Sequence, residues 1–378
     1  MHTNLGSSLP PVARDGPDRH RRAKRKCRLT PSTRGNMRER SVCWRTILEI
    51  GFLLAGIASA TAATHRLVPT RSTVTSGYFD PRTPPALTVR PGDSIEVETL
   101  AAISSPYWEA AGLPHDQMQP ALLEIERDLK DPWDIAHILT GPIYVEGAEP
   151  GDALEVRILS VDLAFPYALD FFAPGSGILS DQFPYTHYRL VPLDLVRKVA
   201  MFSDKVEIPL RPFFGVMGVA PPPELGRLGS GAPWVHGGNM DNKELVAGST
   251  VYLPVHVKGA LFSVGDGHAG QGHGEVCGTG LETSLRATIQ LNLRKDAKLR
   301  WPRAETAAHY LTMGFHENLQ EAAKLALNDM LDFLEKEKNL SRADAYILAS
   351  DAVDLEITQL VDGRKGVHAL LLKSIFVK

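Results

Sequence analysis

The sequence predicts an α+β fold, predominantly antiparallel β-sheet of sandwich or barrel type, with two helices near the C-terminus. Three observations carry this. Short runs of alternating or β-branched residues recur from Val68 to about Leu293, separated by Gly, Pro and Asp clusters. From Leu319 to Leu334 the apolar residues fall at 319, 322, 323, 326, 327, 330, 331 and 334, one face of a helix. No long linker divides residues 63–378, so they read as one domain large enough to bury a real core.

The chain begins differently. Residues 1–62 hold 12 Lys and Arg against 4 Asp and Glu, so the net charge of −3 hides a basic leader and an acidic body. An acidic body argues against nucleic acid as a partner, because phosphate backbones demand clustered Lys and Arg. Arg38, Arg40 and Arg45 precede an apolar run from Ile47 to Ala60, and small residues near Ala62 offer a cleavage site. That is a secretory pattern. The run falls short of the roughly 20 residues a spanning helix needs, so no stable membrane anchor is expected after processing. Export to the periplasm or medium is expected, with Met37 as the start. Cys27 and Cys43 fall in the leader, which leaves Cys277 and no intramolecular disulfide in the mature chain.

The strand runs follow: ALTV before Arg90, SIEVETL from Ser94, ALEVRILSVDL from Ala153 and KVEIPL from Lys205. Pro-Gly-Asp leads into two of them, at Pro91 and Pro150. Proline fixes φ, glycine permits positive φ and aspartate caps the turn, which suits either an internal duplication or a common hairpin lead-in. After the helical stripe, Ser341 with Asp344 resembles a capping box opening a second helix. DLEITQLV from Asp354 and VHALLLKSIFV from Val367 read as closing strands around a DGRKG turn.

Three stretches carry candidate chemistry; phosphate loops, HExxH helices, GxSxG elbows and EF-hand loops are absent from the sequence. His137 stands before a Thr-Gly-Pro turn, where a lone histidine is more often structural than a ligand. In GGNMD, Asn239 and Asp241 lie in a glycine-rich turn. In GDGHAGQGHGE, Asp266 and His268 are two apart and share a face if extended, while Gln271, His273 and Glu275 continue the two-residue spacing on the other parity. Glycine spacers let main chain approach a ligand closely. Asp, His and Glu together suit a divalent ion such as Zn²⁺, and more oxygens would favour Ca²⁺. A solvated glycine-rich hairpin is the plain alternative. A nucleophilic arrangement of Cys277 with Glu275 and Lys258 is another, although a single cysteine is more often buried and inert.

The stretches TGPIYVEGAEPGDALEVRIL, FFAPGSGIL, RPFFGVMGVAP, GGNMD, LPVHVKGALFSVGDGHAGQGHGEVCGTGLE and DLEITQLVDGRKGVHALLLKSIF resemble the acetamidase/formamidase family in order and spacing, from about Val74 to Phe376. The resemblance implies hydrolysis of short aliphatic amides to carboxylate and ammonia, a mainly β fold, a homo-oligomer of two or more copies and a divalent metal. His137, Asn239, Asp241, Asp266, His268, Gln271 and Glu275 match the family's polar motif. On that basis Asp241, Asp266 and His268 are expected to hold the ion and Glu275 to act as acid and base. His137 is expected to be a further ligand or an oxyanion stabiliser, and Asn239 or Gln271 to orient the amide. His273 departs from the family, which usually has Asp there, and would remove one carboxylate from the cluster. The leader is a second departure. A secreted, metal-stabilised protein that binds a polyol or glycan without turnover is the reading from another class.

Overall fold

Alternation turns one face of each run toward a core, and the chain folds into two large β-sheets packed face to face. The computed structural model describes residues 62–127 and 137–377; the basic leader with Cys27, Met37 and Cys43 lies outside the described residues. Among these, one nine-stranded sheet runs Thr64–Leu67, Ser94–Glu98, Leu285–Arg294, Ala153–Leu163, Thr250–Pro254, Arg303–Glu305, His309–His316, Lys365–Leu372, Val353–Gln359. Its strands are antiparallel except for the first pair. The second sheet runs Val206–Pro209, Val199–Ser203, His187–Asp194, Tyr167–Phe172, Glu282–Thr283, Phe262–His268, Phe213–Gly218, Gly237–Asn239, with Ile138–Val145 also paired to Phe262–His268. The core joins the two: Ile95, Val156, Leu253 and Ile289 of the first sheet meet Ile143, Phe214, Phe262 and Val264 of the second, all buried. Neither sheet closes on itself, so the sandwich half of the sequence expectation holds and the barrel half does not.

The Pro-Gly-Asp repeat is a recurring turn. Gly92 and Gly151 adopt φ of 97° and 96°, while Asp93 and Asp152 accept hydrogen bonds from the backbone of Arg90 and Glu149, each at 2.9 Å. The strands they open flank Leu285–Arg294 on its two edges.

Two short helices, Ser105–Ala110 and Pro120–Glu126, stand in the region read as β. Each has proline in its first turn, and each is under two turns long, too short to show periodicity. Trp108, Leu122 and Ile125 pack them on Ile138 and Leu169. The C-terminal helices form as expected, at Leu319–Lys338 and Arg342–Ala352. Asn318 caps the first by accepting from Gln320 and Glu321, and Ser341 caps the second by accepting from Asp344 at 3.1 Å. Ala322, Ala326, Met330 and Leu334 cover Val367, Ala369 and Leu371 of the sheet. The last strand stops at Leu372, sooner than its apolar run, because Lys373–Ile375 turns into a 3₁₀ helix. Among the described residues no helix is long and apolar enough to cross a membrane.

Candidate active site

The strand Phe262–His268 is paired on one edge with Phe213–Gly218, and on the other first with Ile138–Val145 and then with Glu282–Thr283. Its last residues deliver Asp266 and His268 to one place, as their two-residue spacing predicts. Asp241 arrives from the turn after Gly237–Asn239. The His268 Nε2 atom lies 3.1 Å from Glu282 Oε1, 3.5 Å from Asp266 Oδ1 and 3.9 Å from Asp241 Oδ1. His137 approaches from the other side, its Nε2 3.9 Å from Asp266 Oδ2 and its Nδ1 3.1 Å from Ser230 Oγ. Asn239 is buried nearby with its Oδ1 unpartnered. Gly215 makes room for the carboxylates: a Cβ there would sit 2.3 Å from Asp266 Oδ2 and 2.4 Å from Asp241 Oδ1.

Beyond His268 the chain leaves the strand, so the expected extended continuation does not occur. Gly274 and Glu275 adopt φ of 99° and 45° and reverse the path. The loop is nonetheless pinned: Gly274 N donates to Thr358 O at 3.0 Å, Leu360 N donates to Gly274 O at 3.1 Å, and Ile178 N donates to Val276 O at 3.0 Å. Three residues once grouped by spacing therefore part. Gln271 turns onto His268, with 2.8 Å between its Oε1 and Nδ1. Glu275 is buried in the cluster. His273 points elsewhere, 3.1 Å from Glu356 Oε2 and 3.8 Å from Glu244 Oε1, so it neither joins the cluster nor removes a carboxylate from it. The thiol arrangement is not assembled either. Lys258 is 70% exposed and lies 4.0 Å from Glu149, while the Cys277 thiol donates to Thr279 O at 3.5 Å.

Two acids were missed by sequence reasoning. Glu282 is buried, held by a 2.9 Å hydrogen bond from Gly280 N to its Oε1. Its signal was a carboxylate in a short buried strand directly after the glycine loop. Asp362 comes from the DGRKG turn, which Gln359 organises by accepting from the backbone of Val361 and Asp362 and donating to Arg364 O. Aspartate before glycine is ordinary turn chemistry, so nothing local marked it.

The electrostatics are those of crowded, buried like charges. Burial, then the Glu275, Asp362 and Asp266 carboxylates, raise Asp241 well above the usual carboxylate range. Burial, then Asp362, do the same to Glu275, and burial raises Glu282. Burial pushes Asp362 up to about 6. For Asp266 burial is opposed and outweighed by His137 and His268, which hold it below the usual range. Burial would lower His268, but Glu282 and Asp266 raise it instead. Asp241, Asp266 and Glu275 all take left-handed φ, of 47°, 55° and 45°, each costing about 1–3 kcal/mol that the surrounding structure must offset. Both Asp241 oxygens, His268 Nε2, Glu282 Oε2 and Asp362 Oδ2 are buried without a hydrogen-bond partner. Donor atoms of Asp241, His268 and Glu275 lie within 4.8 Å of one another, as do those of Asp266, His268 and Glu282. Orphaned donor atoms of this kind could hold a divalent cation, which would relieve both the repulsion and the missing partners.

Fold and site together define a class: a two-sheet β protein with a buried carboxylate–imidazole cluster able to hold a cation. The particular kinship follows from comparison. The sequence profile of the Acetamidase/Formamidase family matches residues 70–228 and 231–377, and the chain belongs to that family. It is 30% identical over 271 residues to a formamidase of Methylophilus methylotrophus, covering 58% of this chain and 63% of that protein. It is 28% identical over 263 residues to an acetamidase of Mycolicibacterium smegmatis, covering 53% and 61%. The match thus spans less than two thirds of either relative. The crystal structure of an acetamidase from Bacillus halodurans superposes with a TM-score of 0.71 at 32% identity, covering 82% of this chain and 98% of that one.

Proposed function

We propose that the chain hydrolyses short linear amides, formamide- or acetamide-like, to carboxylate and ammonia by cation-assisted attack of water. The observation that carries this is the set of unpartnered buried donor atoms on Asp241, His268, Glu282 and Asp362, in a member of a family of amidases. Asp241, Asp266 and His268 would hold the ion, with Zn²⁺ favoured by the imidazole and Ca²⁺ by the number of oxygens. A bound cation would supply Lewis-acid stabilisation of charge on the amide oxygen and lower the pKa of water.

The chain's own residues do the rest. Glu275, raised by burial, is suited to take a proton from the attacking water and hand it to the departing nitrogen as the C–N bond breaks. Asn239 Oδ1 is a free acceptor for the amide NH₂. His137, anchored through Nδ1 to Ser230, offers Nε2 toward Asp266 and the developing oxyanion. The arginines before the apolar run Ile47–Ala60 support export with processing near Ala62, which N-terminal sequencing of secreted protein would check.

Glu275→Gln tests the function. Loss of at least about 100-fold in ammonia release, with cation content retained, is expected for removal of a general base. Undiminished release would exclude Glu275 from the chemistry, and no release from any amide by the unaltered, metal-supplied chain would favour a binding protein.

A further inference from the structure

Gln271 is the residue whose placement differs most from its sequence-based role. Both ends of its carboxamide are used by the protein. Its Nε2 donates to the Asp241 backbone carbonyl at 3.1 Å, and its Oε1 meets His268 Nδ1 at 2.8 Å. The direction of the amide is not a free choice. A backbone carbonyl only accepts, so the NH₂ end must face Asp241, which leaves an oxygen, also only an acceptor, facing the imidazole. His268 Nδ1 must therefore carry the hydrogen and donate it.

The consequence falls on the other nitrogen. With Nδ1 protonated, a neutral His268 has its lone pair on Nε2. That atom is buried and faces carboxylate oxygens of Glu282, Asp266 and Asp241 at 3.1, 3.5 and 3.9 Å. A lone pair facing three carboxylates is unfavourable unless a cation, or a second proton on the ring, lies between them. The other neutral tautomer would turn an N–H into that space and a lone pair against the Gln271 oxygen. Histidine ligands elsewhere are oriented by such a partner on the second ring nitrogen, and loss of the partner typically costs 10–100-fold in metal affinity.

Gln271 also links three separate parts of the chain by hydrogen bonds. Asp241 belongs to the turn after Gly237–Asn239, His268 ends the strand two places along the same sheet, and Gln271 lies four residues before Glu275 in the pinned loop. One side chain thus ties the backbone of one candidate ligand to the ring of another.

We propose that Gln271 is a positioning residue that locks His268 in the Nδ1–H tautomer and holds the Asp241 backbone, presenting Nε2 to a divalent cation, and that it does not contact the amide substrate. This rests on the cation-assisted reading above and replaces the expectation that Gln271 orients the amide.

The test compares the unaltered chain with Gln271→Met, which can neither accept from His268 nor donate to Asp241, and Gln271→Glu, which keeps the acceptor. Zn²⁺ affinity is measured by chelator competition on folded protein, and KM for acetamide is measured at saturating Zn²⁺. Gln271→Met should bind Zn²⁺ about 10–100-fold more weakly with KM unchanged within about twofold. Gln271→Glu should recover at least part of that affinity. In ¹⁵N-histidine spectra, His268 should show the Nδ1–H tautomer in the unaltered Zn²⁺-loaded chain. Zn²⁺ bound equally well by Gln271→Met, or a KM raised tenfold with affinity intact, would overturn the lock alone and restore a substrate contact. An unaltered chain that takes up no Zn²⁺ would overturn the cation reading and, with it, the reason for the lock.

Discussion

Replacing Gly215 by alanine should disable the site with little damage to the rest of the molecule. The added Cβ would lie 2.3 Å from Asp266 Oδ2, 2.4 Å from Asp241 Oδ1 and 3.1 Å from Asp266 Cγ. Ordinary contact begins near 3.4 Å, so each oxygen must retreat by roughly 1 Å. Neither can do so freely, because both side chains are buried and both backbones sit at left-handed φ. Cation–ligand distances tolerate only about 0.2 Å, and misplacement of about 1 Å near reacting atoms costs about 100-fold in rate. Gly215 itself does not need positive φ, so the backbone accepts alanine, and overpacking should cost about 1–3 kcal/mol. Thermal unfolding, metal analysis by mass spectrometry and ammonia release together read the outcome. The expected result is a folded protein, a few degrees less stable, that has lost most of its bound cation and at least about 100-fold in rate. A Gly215→Ala protein with full cation content and full rate would refute the placement of Asp241 and Asp266 as joint ligands.

Other consequences can be checked alongside. Because burial raises Asp362 to about 6, the cation-free folded state holds a proton that the unfolded chain, titrating near 3.8, has released. Stability of the cation-free chain should therefore fall as pH rises from about 4 through about 6, and Asp362→Asn should remove that part of the fall; equal Tm differences at both ends of the window would contradict it. Cys277→Ser should keep activity within about twofold, since the thiol donates to Thr279 O outside the cluster; a loss of about 100-fold would revive the thiol nucleophile. His273→Asp would set a carboxylate against Glu356 and Glu244, costing about 1 kcal/mol in Tm measurements while cation content and rate stay unchanged. A gain in bound cation would instead return position 273 to the site.

Much of this architecture was legible in the residues. Strand alternation and the 319–334 stripe located both sheets' main runs and the long helix, because each buries one face and the period records which. Asp266 and His268 were legible for the same reason, their spacing placing both on one side of a strand. The period stopped being informative where the strand stopped: past His268, Gln271 meets the His268 ring, His273 meets Glu356, and Glu275 joins the cluster. Asp362 was hidden because its role depends on a hairpin nearly 100 residues downstream of Asp266 meeting the loop through Gly274 and Thr358, a contact no local pattern encodes. Glu282 was visible in principle, since a carboxylate in a buried strand needs a partner, and here the partners are His268 and the backbone of Gly280.

The most direct test is ammonia release from formamide and acetamide by the same preparation as purified, after complete chelation and after return of a single divalent ion. Release should disappear with the metal and return with it, in proportion to cation bound per chain. Full-rate hydrolysis by protein in which mass spectrometry detects no metal would contradict it.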